Sequence, residues 1–294
     1  IGGTAVTSTA AELNLLDGVT ALGASNVTGL SDALVETNSM YIGNNPSSTT
    51  DDAQYNVALG ATALDAVTTG DFNTGVGYSS LAANTTGSRN IAIGTTAMDA
   101  ADTENDNLAI GYAALSSDLD GGEYNVAVGN NSLNANTTGD SNVGIGYNTL
   151  TSNTTGGYNT AIGNGVLSSN TTASGNTGMG FYSLRVNTTG YKNTAYGYSA
   201  LGSNTTGSFN TASGYSSLIS NTTGQNNTAS GFYSMYDNTT GNHNSAYGFR
   251  SLKSNTEGSN NTASGYYSSH DNTTGSRNTA SGYMSMRRNT TGTN

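Results

Sequence analysis

Apolar and polar residues alternate in short bursts along most of this chain. In Asn90-Ile91-Ala92-Ile93-Gly94 and in Asn125-Val126-Ala127-Val128-Gly129, two aliphatic residues flank a single alanine. Period-two alternation sends successive side chains to opposite faces, so each burst predicts a short strand with one aliphatic face and one face of minimal bulk. The bursts recur every 17 residues, fourteen times from Asn56 onward, with one extra residue in the stretch 118–124. Position 1 of the unit is always Asn (Asn90, Asn210), position 3 Ala or Gly, and position 5 Gly (Gly94, Gly214). Position 9 is Leu or Met (Leu218) in every unit but one, where Ser269 stands. A fixed short period means stacked copies of one element, each touching mainly its neighbours.

The rest of the unit sets the shape of one copy. Position 6 is often Tyr or Phe and, with the preceding Gly, marks a bend; positions 7–11, which carry the Leu, predict a second short strand. The Asn-Thr-Thr-Gly that follows (Asn221–Gly224) is a turn in which Asn and Gly are expected to supply positive φ. Two strands and two turns in 17 residues are too short for a pair of helices and suit a rung. The predicted fold is therefore an all-β parallel solenoid, a β-roll of about fourteen rungs, roughly 65 Å long at ~4.8 Å per rung. The position-1 asparagines are expected to stack as a ladder of side-chain amides. The aliphatic strand face, bare in a single coil, is expected to be covered by copies of the chain.

Three segments follow. Residues 1–38 form a small mixed connector of short strands and one or two short helices, with Ser8 or Thr9 and Ser31 as N-caps. Residues 39–55 make a degenerate first rung and cap, because Gly43 lies one period before Gly60 and the loop after it holds the lone proline, Pro46. Residues 56–294 are the repeat domain. The chain starts at Ile1 and ends on the last position of a unit without an atypical closing copy, which is what a segment of a longer polypeptide would show.

Charge divides the chain in two. Residues 1–150 carry sixteen acids and one base, Arg89, whereas residues 151–294 carry three acids and seven bases. The second half's net charge of +4 is weak for tracking phosphates, so nucleic acid is not an expected partner. With no cysteine, disulfides and thiolate metal sites are excluded. No apolar run reaches the length of a membrane-spanning helix, so no membrane insertion is expected.

The strand motif seen in Asn90–Gly94, Asn107–Gly111 and Asn159–Gly163 resembles the head repeat of the YadA-type trimeric autotransporter adhesins. The resemblance implies left-handed parallel β-rolls assembled as a homotrimer with the strand's apolar residues at the packed centre. The family's usual repeat is shorter; the longer Asn-Thr-Thr-Gly turn is where this chain departs from it. The stretch Thr7–Val19, with Ser31–Val35 and Tyr41–Asn44, is similar to segments of marine cyanophage tail-fibre and virion structural proteins. Together they imply a non-enzymatic fibre on a virion surface or otherwise extracellular, joined to other fibre proteins and attaching to a glycan or protein of the host. A trimeric bacterial surface adhesin is the alternative, and a glycan-hydrolysing fibre a third.

Candidate chemistry is sparse. The two histidines, His243 and His270, sit at different unit positions in different rungs, and no nucleophile–base set can be assembled around them. Acidic residues crowd two neighbouring turns: Asp99, Asp102, Glu104 and Asp106, then Asp118, Asp120 and Glu123. Such oxygen clusters suit Ca²⁺, although a solvated acidic loop explains them as well and the glycine-rich calcium nonapeptide is absent. Ten Asn-Thr-Thr triplets match the N-glycosylation acceptor pattern, with turn chemistry as the plainer explanation. The sharpest change lies along the rod. Strand position 4 is aliphatic through Ile162, Met at Met179, and afterwards Ser or Tyr. Over the same rungs positions 7 and 10, read as outward-facing, acquire Tyr182, Arg185, Tyr233, Tyr236, Arg250, Lys253, Tyr267, His270, Met284 and Arg287. Tyrosine and arginine give large contact area at low entropic cost, which marks these residues as a candidate receptor-binding face.

Overall fold

The computed structural model describes residues 33–36, 39–42, 52–117 and 119–293. Strand β1 (Ala33–Glu36) pairs antiparallel with β2 (Ser39–Ile42). From β2 onward every neighbour is parallel and follows chain order, through β3 (Val57–Leu59) to β16 (Thr279–Ser281), one three-residue strand per repeat. The fifteen parallel strands form a β-solenoid with no helix among the described residues. Register is identical at each step: position 3 always faces position 3, as in Ala212 opposite Ala229. Ser39–Ile42 is the degenerate first rung, because Tyr41 pairs with Ala58 and is fully buried under the column of small residues above it. The helix expected to start at Ser31 does not form; the backbone from Ala33 is taken up instead by pairing with β2. The other expected N-caps and the loop 44–51 lie outside the described residues.

The interior is thin and continuous. Position 3 points inward, and so do the Leu at position 9 and the small residue at position 8; Ala195, Ala200 and Leu201 are all fully buried. Bulk at position 3 is limited by these neighbours. A Cβ placed on Gly144 would lie 2.5 Å from Ser132 Oγ and 3.5 Å from Leu133 Cγ. Positions 2 and 4 point away from this core, leaving Val57, Leu59, Ile91, Ile93 and Ile145 exposed.

The second strand, at positions 7–11, is absent. Positions 7 and 9 both take left-handed φ, as at Ser216 (50°) and Leu218 (53°), which is incompatible with an extended chain. Rungs remain bonded there: Leu218 donates its N–H to Ser234 O at 3.0 Å, and Ser216 donates downward to Tyr198 O at 2.8 Å. The Asn-Thr-Thr-Gly turn also differs from expectation. Its Gly has no positive φ and is small because the next rung presses on it: a Cβ on Gly207 would lie 2.4 Å from Gly224 O. Positive φ falls instead at position 17, occupied by residues such as Phe72 (59°) and Arg89 (61°).

Two asparagine columns hold the turns. At position 1 the bonds are chiefly to backbone: Asn193 Nδ2 donates to Gly207 O at 2.8 Å, and its Oδ1 accepts the N–H of Asn210 at 3.0 Å. The amide-to-amide ladder runs at position 12, where Asn204 Nδ2 donates both to Asn187 Oδ1 (2.7 Å) and to the same Gly207 carbonyl (2.9 Å). Buried polar groups cost little when each finds such partners. The ladder breaks where Ala101 replaces Asn, and Asn84 Oδ1 just below is buried without an acceptor role.

Candidate functional site

The acidic turns are built as structure. Glu104 stands at position 15, three residues after the missing Asn, and is 3% exposed. Its carboxylate accepts N–H bonds from Asp102 (3.0 Å), Thr103 (3.1 Å) and Gly121 (3.2 Å), so this turn is closed by backbone donors in place of the absent amide's bonds. Asp102 accepts from the Thr85 N–H (3.2 Å) and the Thr85 hydroxyl. Asp106 is clasped by Arg89 at 2.6 and 2.8 Å, which holds the carboxyl below its usual pKa. Glu123 accepts from Asn105 Nδ2 at 2.9 Å, and Asp120 points to solvent. Asp118 lies outside the described residues. Burial pushes Asp99 above the usual carboxylate range, and its Oδ1 has no hydrogen-bond partner. Among the described residues, no three acidic or histidine side chains converge as a metal site.

Nine of the ten sequon asparagines are buried in the stack, eight of them in the ladder, while Asn289 in the last rung is only part-buried. Asn84 and those from Asn136 to Asn272 are fully buried, and a side-chain nitrogen bonded twice inside the stack, as in Asn204, is not open to a glycan.

The receptor-binding candidates form part of a larger assembly whose spine is position 6, which marks a bend in the sequence and a stacked column in the structure. Position 6 is aromatic in each of the last seven units, and these rings stack rung upon rung: Phe181, Tyr198, Tyr215, Phe232, Phe249, Tyr266 and Tyr283. Neighbouring centroids lie 4.9–5.4 Å apart with ring planes within 18°. In-register stacking converts one residue per period into a continuous ridge, each pair contributing about 0.5–1.5 kcal/mol beyond its burial. Phenols so placed feel one another. The Tyr215 hydroxyl is held above the usual phenol pKa, first by desolvation and then by Tyr233, Tyr198 and Tyr236.

Positions 7 and 10 do not simply face outward; most lie against this ridge. Tyr233 packs on Phe232 (4.1 Å) and Tyr236 (4.8 Å), and Tyr267 on Tyr266 (4.7 Å) and His270 (4.8 Å). Arg250 lies over the rings of Tyr233, Phe249 and Tyr267 at 5.3–5.7 Å and donates to the Tyr267 hydroxyl at 2.8 Å. Lys253 reaches over Tyr236 (5.2 Å) and pairs with Asp237 (3.0 Å); Arg287 lies over Tyr267 (5.5 Å). His270 is half-buried, with Nδ1 2.5 Å from Asp271 Oδ1. Seven of the nine aromatic and basic candidates thus cluster within the last four rungs. Tyr182 packs on Phe181 (3.9 Å) at the start of the ridge and holds Arg185 at 4.9 Å, three rungs before Tyr233 and bordered by the small residues Ser199 and Gly202. The sequence signal for the ridge is the unbroken Gly-Phe/Tyr dipeptide at one spacing over the last seven units, a pattern that local chain geometry also explains.

Compared with protein-family models, curated proteins and solved structures, the chain matches none.

Proposed function

We propose that this chain is the shaft of an attachment fibre, carried on a virion surface and joined there to other fibre proteins, which binds a host-surface glycan or protein without chemical turnover. The observation that supports it most is the contiguous aromatic and basic ridge along the last seven rungs, on a rod whose other half is strongly acidic. Rigid stacked rings present contact area that loses little entropy on binding, and the guanidinium groups over them add cation–π and hydrogen-bonding capacity. A lateral site of this kind gains strength by repetition, since several copies held together raise avidity without a deep pocket. A bacterial surface adhesin would use the same ridge in the same way.

The test is binding of the fluorescently labelled full chain to cyanobacterial cells. Arg250→Ala combined with Tyr267→Ala should lower cell labelling at least tenfold while the circular dichroism spectrum is unchanged. Equal labelling by variant and parent, or none by the parent, removes the attachment reading for this host.

Repetition requires association. The exposed aliphatic row of Val57, Leu59, Ile91, Ile93 and Ile145 is a flat apolar strip on regular β-structure, the kind of surface that marks an interface. In this proposal three parallel chains meet along it. Light scattering of the purified chain is then expected to give three times the 29.7 kDa chain mass, and a value equal to one chain sinks the trimer.

A further inference from the structure

The column of side chains at position 17 has a single gap. Its members include Phe72, Arg89, Tyr124, Tyr158, Lys192 and Phe209; only at residue 175 is there a glycine. The backbone does not demand it. Position 17 takes φ of 54–62° with Tyr, Phe, Arg, Lys or Ser, and a Cβ on Gly175 (φ 72°) would meet nothing nearer than Lys192 Cγ at 3.4 Å. What the glycine does is leave space. Tyr158 and Lys192 stand two rungs apart, about 9–10 Å at the normal rung spacing. Between them opens a depression of about 500 Å³, bordered also by Ser174, Thr189 and the Tyr191 ring.

Its dimensions and chemistry select an occupant. A gap of 9–10 Å leaves room for one ring in van der Waals contact, at about 4 Å, with a surface on either side. Tyr158 is 72% exposed and offers a flat face, while the Lys192 stem forms the opposite wall. Ser174, whose hydroxyl accepts the Gly157 N–H at 3.1 Å, and Thr189 also line the depression, suiting a ligand that carries hydroxyl groups. No carboxylate lines the depression, and the Lys192 ammonium, which lies 5.5 Å from the Phe209 ring, has no ion pair among the described residues. We infer that the Gly175 notch is a binding subsite for one pyranose ring carrying an anionic group, a carboxylate or a sulfate. It deepens the attachment function proposed above and lies on different residues from the aromatic ridge.

Titration of the full chain with a galacturonate trisaccharide, a galactose-6-sulfate trisaccharide and a galactose trisaccharide, followed by calorimetry, tests it. At least one anionic sugar should bind ten-fold or more tighter than the neutral one, and which of the two does so distinguishes carboxylate from sulfate. Gly175→Phe, filling the column with a residue that position 17 already accepts, should weaken that binding at least twenty-fold with an unchanged melting temperature. Tyr158→Ala should weaken it too, and Lys192→Gln should erase the preference for anionic over neutral sugar. No binding at 10 mM, equal affinity for all three sugars, or undiminished binding by both Gly175→Phe and Tyr158→Ala would overturn the assignment. Because no cells are involved, failure here leaves attachment through the ridge standing. Loss of cell labelling by the Arg250 and Tyr267 variant likewise leaves the notch untouched.

Discussion

Replacing Gly146 by alanine should break the rod's unfolding into two transitions and lower its first melting point by roughly 10 °C or more. Gly146 holds φ of 132°, where an L-residue is strained by about 1–3 kcal/mol. The added Cβ would also sit 2.2 Å from Gly163 O and 2.7 Å from Gly163 C. Those atoms are backbone of the next rung, so relief requires the rungs to separate and give up hydrogen bonds on both sides. A total of about 4–5 kcal/mol places the change among the most damaging single substitutions. Because each rung touches only its neighbours, the lesion divides the stack rather than weakening all of it. Gly282→Ala is the control: φ is 107°, but nothing lies within 4 Å of its Cβ. Calorimetry should show a single transition for Gly282→Ala and two for Gly146→Ala; matching traces would mean that backbone strain, not rung contact, fixes the glycine.

Asn210→Ala should cost about 3–5 kcal/mol in urea unfolding. The fully buried Asn210 amide donates to Gly224 O at 2.8 Å and accepts the N–H of Asn227 at 3.0 Å. Truncation strands the Asn227 N–H at about 1–3 kcal/mol, removes one of the two bonds on Gly224 O, which keeps that from Asn221 Nδ2 (3.0 Å), at roughly 1 kcal/mol, and leaves a small void. Asn210→Asp keeps the acceptor but loses the donor and buries a charge, so at pH 7 it should be worse than alanine. Protonation restores a donor, and its stability relative to the parent should recover as pH falls toward 4. A cost below about 1 kcal/mol for Asn210→Ala would show that water replaces the amide and that the column is not what closes the turn.

These two positions also show what a sequence of this kind reveals. Asn at position 1, Ala or Gly at 3, Gly at 5 and Leu at 9 are legible because a stack repeats every constraint, so one copy of the pattern checks the next. Backbone conformation was less legible. Leu218 reads as a strand residue, yet in the rung it takes left-handed φ, since pairing with Ser234 above outweighs its local preference. Gly207 reads as a positive-φ residue, whereas its task is to let Gly224 O approach; both requirements favour glycine, and composition cannot separate them. The ridge from Phe181 to Tyr283 was hidden differently. Residues 17 apart in sequence become 5 Å neighbours only once the register is known, and seven isolated aromatics then become one surface.

The position-12 ladder bears on how such a rod ages. Asparagine decays to aspartate when the following residue's backbone nitrogen attacks the side-chain carbonyl carbon and closes a five-membered ring. In the stack that nitrogen is engaged: Thr205 N–H is bonded to Thr222 O at 3.0 Å. The carbonyl under attack is engaged as well, with Asn204 Oδ1 receiving Asn221 Nδ2 at 2.7 Å. Ring closure would have to break both bonds and swing a fully buried amide out of its column. The folded rod thereby shields from slow chemical decay the asparagines that its turns cannot do without.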